Sequence, residues 1–304
     1  MANSEHLQLF RDPQQWKEWR LRFPDIVPDL RASDISSFDH MDGRNVQQVD
    51  WSEADLSYMD LAEMNFERGI FTHAFLNSAQ LCNASFAFAD MRQVDLSFAS
   101  CRGVNMSYAN LREAWLANTK MGYAQLSAAD LQKTYLRKAD VRFADLRGAT
   151  LAGARACELL LVGANVAGAD LTGADLKGAD IRRVNILETQ SGHDLTQIHL
   201  SYTNLNELNL RGAVMREMDL QKVYFQRTDL RGADLRGANL TAAIFDQTMI
   251  AGALLDGALL DWDTTTRSDD LLTLHTIPQK RGWPTNPRQR WRDIQKWNEG
   301  ETGS

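Results

Sequence analysis

Cysteine is scarce in this chain of 304 residues, and the three it has, Cys82, Cys101 and Cys157, match no metal-site spacing. Sparse, unmotivated thiols point to a reducing, cytoplasmic compartment. No apolar run is long enough to cross a bilayer, and no secretory leader follows Met1, so neither a membrane partner nor export is expected. There is no phosphate-binding glycine loop and no nucleophile elbow. The six histidines are scattered; His193 and His199 have no Cys or Ser partner at a motif spacing. No enzyme, metal or cofactor is expected from such a chain. Its six prolines all lie near the two ends.

What is abundant is a period of five. Starting at Val46, every fifth residue through Trp51, Leu56 and Leu61 to Ile186 is apolar, at all 29 positions. Two residues earlier the chain places Ala at 18 of those 29 units. Five fits neither the helical period of 3.6 nor the strand period of 2, so an internal repeat decides the fold before local propensity does. In a unit such as Ala169-Asp170-Leu171-Thr172-Gly173, the first and third positions share a side, as in a short strand. The last two positions must turn the chain, and Gly173 and Gly178 suit such a corner. A chain that turns at every unit and always points its Leu inward coils around a narrow core.

The units Ala-Asp-Leu-Thr-Gly, Ala-Asp-Leu-Lys-Gly, Ala-Asp-Leu-Arg-Gly and Ala-Asn-Leu-Thr-Ala resemble the signature of the pentapeptide-repeat family. The resemblance covers about residues 29–261. It implies an all-β solenoid, a right-handed quadrilateral β-helix with four units per coil; because a repeat stack exposes apolar edges, short helical caps are expected at both ends. About 11 coils stacked at the inter-strand spacing give a rod roughly 50 Å long. Although the length alone suggests two domains, the continuous period argues for one solenoid between a cap at 1–28 and a cap or tail at 262–304.

The register slips twice. Leu30 and Ile35 are out of phase with Val46 by one residue, which places an insertion near His40–Arg44. After Ile186 the series resumes nine residues later, at Leu195, and runs on to Leu260. The break carries Glu188 and His193, candidate partner contacts because loops on rigid scaffolds concentrate specificity. The alternative is a one-residue deletion absorbed as a bulge.

At the start, Asp12 as N-cap and Pro13 as first helical residue predict a helix bearing Trp16 and Trp19 on one face and stopped by Pro24. It would lie as a lid over the first coil. At the end, Pro278, Pro284 and Pro287 predict extended chain, followed by a short helix capped by Asn286 and carrying Trp291 and Trp297. Residues 276–298 hold six Lys or Arg against Asp293 alone, in a chain of net charge −7. This basic segment is a second cap, or else a grip for a partner or a nucleic acid.

Most Asp residues occupy the second place of the repeat, where a short polar side chain serves geometry and solvation rather than catalysis. With four units per coil, residues 20 apart share a face. One face then carries Asp50, Asp90, Asp130 and Asp170 and is the most acidic; the next carries Phe75, Trp115 and Tyr135, with Tyr58 and Phe98 near its corner. Outward aromatics mark a partner surface or a cross-rung stack that stabilises the sheet alone. A weaker likeness, to family members that mimic DNA and protect DNA gyrase, a topoisomerase, from inhibitors, implies such a partner and a role in antibiotic resistance. Here Arg and Lys dilute the acidic face. The competing expectation is a protein-interaction scaffold, effector or adaptor, or a homodimer, using the aromatic face or the tail.

Overall fold

In the computed structural model the described residues are 3–26, 28–30, 46–260 and the pair 265–266. The backbone from Val46 onward coils with four short sides per turn. One residue on each side bridges in parallel to the coil above, and the bridged residues are 20 apart, as in Asp50↔Ile70, Asp55↔Phe75, Asp60↔Gln80 and Asn65↔Ser85. These four series define faces A, B, C and D in that order.

The inward positions build the core. All 29 of the first series, Val46 to Ile186, are at most 2% exposed, as is Leu195 to Leu255 of the second; Leu260 is half-buried. A polar group buried in such a core is costly unless it finds a partner. Where Thr replaces the small Ala, its hydroxyl does so: Thr119, Thr203 and Thr228 donate to the carbonyls of Leu96, Leu176 and Leu205 at 2.8–2.9 Å.

Each corner is a tight turn closed by a backbone hydrogen bond, as from Ala74 N to Phe71 O at 3.1 Å. The third residue of that turn takes positive φ, +61° at His73 and +67° at Gly173. This is the requirement of a type II turn, which explains the glycine enrichment at the fifth place. The outward Asp or Asn seeds the corner by accepting the N–H two residues on: Asp55 from Ser57 at 3.0 Å, Asp170 from Thr172 at 2.9 Å. A short acceptor at that place is therefore a folding device.

Two helices precede the coils. Helix α2, Pro13–Arg22, begins with Asp12 accepting from the backbone of Gln14 and Gln15. Helix α1, Ser4–Arg11, has no counterpart in the periodic pattern; Asn3 caps it by accepting from Glu5 and His6. Phe10 and Trp16 are fully buried, and Phe10 meets Trp51 of the first coil edge-on at 5.5 Å. Trp19 is half-buried, 5.8 Å from Trp16.

Both slips have a structural counterpart. Asp29↔Asp50 spans 21 residues, one more than a coil, and the residues between 31 and 45 lie outside the described set. At the second break Asp175↔His199 and Asp180↔Asn204 span 24. The break is therefore not a one-residue deletion but a four-residue insertion. A 3-10 turn, Ile186–Glu188, is followed by Gln190, whose N–H still joins the ladder through Ala169 O at 2.9 Å. The chain then makes an extra turn before Asp194 bridges to Val214 on face A. At the far end strand β1, Ile244–Phe245, pairs in parallel with β2, Thr265–Thr266, on face C. The helix expected after Asn286, with Trp291 and Trp297, lies outside the described residues.

Candidate partner-binding surface

Face A brings Asp50, Asp90, Asp130 and Asp170 into one column, separated by Ile70, Asn110 and Thr150. The column is less acidic than its formula. Arg92 folds back on Asp90 with two hydrogen bonds of 2.8 and 2.7 Å, and Arg112 reaches Asp130 at 3.3 Å. Asp50 accepts from the Ser52 hydroxyl at 2.6 Å. Two of the four carboxylates are thus paired in place by the Arg residues that dilute this face.

The same fork recurs along the rod. Asp140–Arg142, Asp145–Arg147, Asp180–Arg182, Asp229–Arg231 and Asp234–Arg236 pair at 2.6–2.8 Å, each Arg two residues after its Asp. The Arg147 fork, helped by the Ser127 hydroxyl against the cost of burial, lowers the Asp145 carboxyl to about 2. Asp140 and Asp229 are lowered by the same kind of hydrogen bond.

Net charge is also graded along the axis. Residues 46–100 hold eight carboxylates against Arg68 and Arg92; residues 101–260 hold 17 against 18 Lys or Arg. In the first coils Glu53, Asp55, Asp60, Glu63 and Asp95 make no ion pair among the described residues.

The outward aromatics divide in the same way. Trp115 and Tyr135 stack at 4.2 Å and 4°, with the Arg155 guanidinium 4.7 Å from the Tyr135 ring. Phe88 and Tyr108 stack at 4.9 Å below Arg68, and Tyr123 and Phe143 at 5.3 Å beside Arg102. Tyr202 sits between Lys177 and Lys222. Each of these rings, Trp115 and Tyr135 among them, thus lies against a ring or a cation of another coil. Tyr58, Phe75 and Phe98 differ: they are 76, 49 and 63% exposed, and none meets a ring or a cation among the described residues. Phe75 lies on face B between Asp55 and Asp95, and Tyr58 and Phe98 stand on the adjoining corner. Exposed apolar rings rimmed by unneutralised carboxylates therefore occupy one side of the first three coils. Counting charge along the chain would have pointed to the first coils, but which rings lack a stacking partner shows only in the structure.

Glu188 and His193 are both exposed at the insertion. The Glu188 carboxylate accepts from the Asn185 amide at 2.7 Å, and the His193 carbonyl accepts from Val214 N at 2.6 Å. Their side chains are not brought to the first-coil patch. Trp291 and Trp297 lie outside the described residues. The thiols are subdued: burial raises Cys101, and burial with a hydrogen bond to Asp175 raises Cys157 to about 11. Among the described residues no cluster of three or more His, Cys, Asp or Glu suits a metal ion, and no helix is long and apolar enough to cross a membrane.

The pentapeptide-repeat family matches in eight copies over residues 52–87, 84–122, 124–158, 151–186, 194–232 and 219–257. The chain belongs to the pentapeptide-repeat family. Its members form right-handed β-helices, and the present coils are of that kind. No curated protein matches this chain. Among solved structures it is similar to HetL, involved in heterocyst differentiation regulation in the cyanobacterium Nostoc, at 25% identity and a TM-score of 0.40, over 71% of this chain and 88% of HetL. A pentapeptide-repeat protein of the Arabidopsis thaliana thylakoid lumen is 30% identical over 35% of this chain and 70% of its own, with a TM-score of 0.22. Full-length QnrB1, a plasmid-mediated fluoroquinolone resistance protein, is 14% identical over 68% of this chain and 94% of its own, with a TM-score of 0.22. At that identity the likeness to QnrB1 concerns fold alone.

Proposed function

We propose that this chain is a non-enzymatic, cytoplasmic protein-binding solenoid. Its docking surface is the patch of Tyr58, Phe75 and Phe98 with Glu53, Asp55 and Asp95, and its partner is a protein segment carrying cations and apolar side chains. One observation supports this reading: Tyr58, Phe75 and Phe98, exposed rings that meet no ring or cation among the described residues, stand together beside Glu53, Asp55 and Asp95, which make no ion pair there. Rings of this kind act as anchors when desolvated, and unneutralised carboxylates steer a basic partner and set its orientation. The proposal includes the division into an N-terminal lid at 1–28, coils at 29–261 and a terminal segment at 262–304.

Titration with a synthetic peptide alternating Arg and Trp tests it. Affinity should fall at least tenfold in Phe98→Ala and in Asp55→Asn/Asp95→Asn, and should fall with salt. Equal affinity for all three chains removes the patch.

The second reading is gyrase protection by DNA mimicry, with antibiotic resistance as its consequence. The rod form and the net charge of −7 favour it, and the Arg forks on Asp90 and Asp130 weigh against it. Supercoiling by gyrase in the presence of a quinolone, with and without the chain at micromolar concentration, decides it; no protection eliminates the reading.

A further inference from the structure

The patch repeats every two coils. On face B, Asp55, Phe75 and Asp95 follow one another as bridged residues of successive coils. On the adjoining corner Tyr58, Ser78 and Phe98 do the same, through Tyr58 N donating to Asn77 O at 3.1 Å and Ser78 N to Ser97 O at 2.9 Å. A carboxylate and a ring thus stand together on the first and third of these coils, with Phe75 and the small Ser78 on the second. We infer that the partner segment is an α-helix lying along the rod axis, with a basic residue at i, a large apolar residue at i+3 or i+4, and a second basic residue at i+7. The inference rests on the protein-binding reading above and names the form of the partner.

Spacing carries it. Two coils separate Asp55 from Asp95 by about 9.6 Å. On a helix, residues i and i+7 share a face about 10.5 Å apart, and i+3 or i+4 lies roughly midway. The two cations then meet Asp55 and Asp95 while the apolar side chain between them covers Phe75. An extended strand repeats on one face at about 6.7 or 13 Å, and so misses one carboxylate by about 3 Å or more. A polyproline helix brings i and i+3 to about 9.3 Å, but its intervening residues turn to other sides and leave Phe75 uncovered.

The carboxylates are held ready for such a partner. Asp55 and Asp95 each use Oδ1 to accept a corner N–H, from Ser57 at 3.0 Å and from Ser97 at 2.9 Å, and their second oxygens take no hydrogen bond or ion pair among the described residues. A carboxylate already oriented by its turn loses little freedom on accepting a guanidinium. Ser78 keeps Tyr58 and Phe98 two coils apart, beyond stacking range, and leaves room between the rings for an apolar side chain. Beyond Asp95 the column continues as Trp115, Tyr135 and Arg155, a stack already capped by a cation, so the cation-accepting stretch ends at the third coil.

Two fluorescein-labelled helical peptides of identical composition, each of about 18 residues to be partly helical alone, test this against the unaltered chain. One carries Arg at its fifth and twelfth places and Leu at its eighth and ninth, in an Ala-Gln background. In the other the second Arg moves to the fourteenth place, on the opposite side of the helix. A polyproline peptide with Arg three places apart is the third probe. The first peptide should bind at least tenfold more tightly than either of the others, and its helicity should rise on binding in the far-ultraviolet difference spectrum. Asp55→Asn/Asp95→Asn should erase the difference between the two helical peptides. A difference that survives these substitutions, equal affinity of the two helices, or tighter binding of the polyproline peptide overturns the inference. If the affinity then still falls in Phe98→Ala, the protein-binding reading stands without the helix. Binding of none of the three overturns both.

Discussion

Trp115 and Phe98 look alike in the sequence, as large rings on the outside of a coil, yet truncating them should have opposite consequences. Trp115 is 48% exposed and stacks on Tyr135 at 4.2 Å. A Trp buries about 150–250 Å² when fully covered, so half burial amounts to about 100 Å², or at most ~2.5 kcal/mol at ~25 cal/mol per Å². The stack adds about 0.5–1.5 kcal/mol. Trp115→Ala should therefore destabilise the rod by about 2–3 kcal/mol and leave the peptide affinity of the patch nearly unchanged. Phe98 is 63% exposed and touches no ring; its truncation should cost at most about 1 kcal/mol, while affinity drops tenfold or more. Urea unfolding followed by circular dichroism gives the stabilities. Hydrogen exchange across 110–140 locates the loss, since solenoids open locally rather than all at once. The double-mutant cycle of Trp115→Ala with Tyr135→Ala should return a coupling of about 1 kcal/mol. A coupling below about 0.3 kcal/mol, or a Phe98→Ala chain as unstable as Trp115→Ala, would refute the division of the rings into stacked and free.

Deleting Gln190–His193 leaves Thr189-Asp194-Leu195-Thr196-Gln197, a regular unit, and a coil of normal length. The shortened chain should fold with an unchanged circular dichroism spectrum and at least equal stability, and loss of folding would show that the insertion is structural. Ala128 sits at a corner with φ of +54°; Ala128→Gly should stabilise by up to about 1 kcal/mol, because an L-residue pays for left-handed backbone, and a lower urea midpoint would contradict this. Asp145 titrates near 2, below its unfolded value of about 3.9. Its contribution is present above pH 4 and is lost as the pH falls from about 4 to 2. Arg147→Gln should lower stability slightly and equally at pH 5 and pH 7, since a largely exposed pair adds little, and leave it unchanged near pH 2; the same loss at pH 2 as at pH 7 would show that the fork does not act through the Asp145 carboxyl.

The coil was legible because its cause is local and repeated. An apolar side chain every fifth residue, a small one two places earlier and a turn residue two places later can satisfy one another only by closing a square. The cap of α2 was equally legible, since Asp12 and Pro13 act within a few residues of themselves. Helix α1 was not, because its capping Asn3 and its single buried anchor Phe10 leave no periodic trace. The insertion was misread for a related reason: a phase count modulo five cannot tell one residue lost from four gained, and only the bridges of Asp175 and Asp180 distinguish them.

What the amino-acid order determined by itself was the repeat, the identity of the inward residues and the faces on which Asp50, Asp90, Phe75 and Trp115 stand. Tertiary structure decided which of those outward groups are free. Whether a carboxylate is bare depends on an Arg two residues on or a full coil away, and whether a ring is available depends on what stacks 20 residues later. Those contacts are made across rungs about 4.8 Å apart, where pairing is set by side-chain length and rotamer. A one-dimensional period carries no information about either.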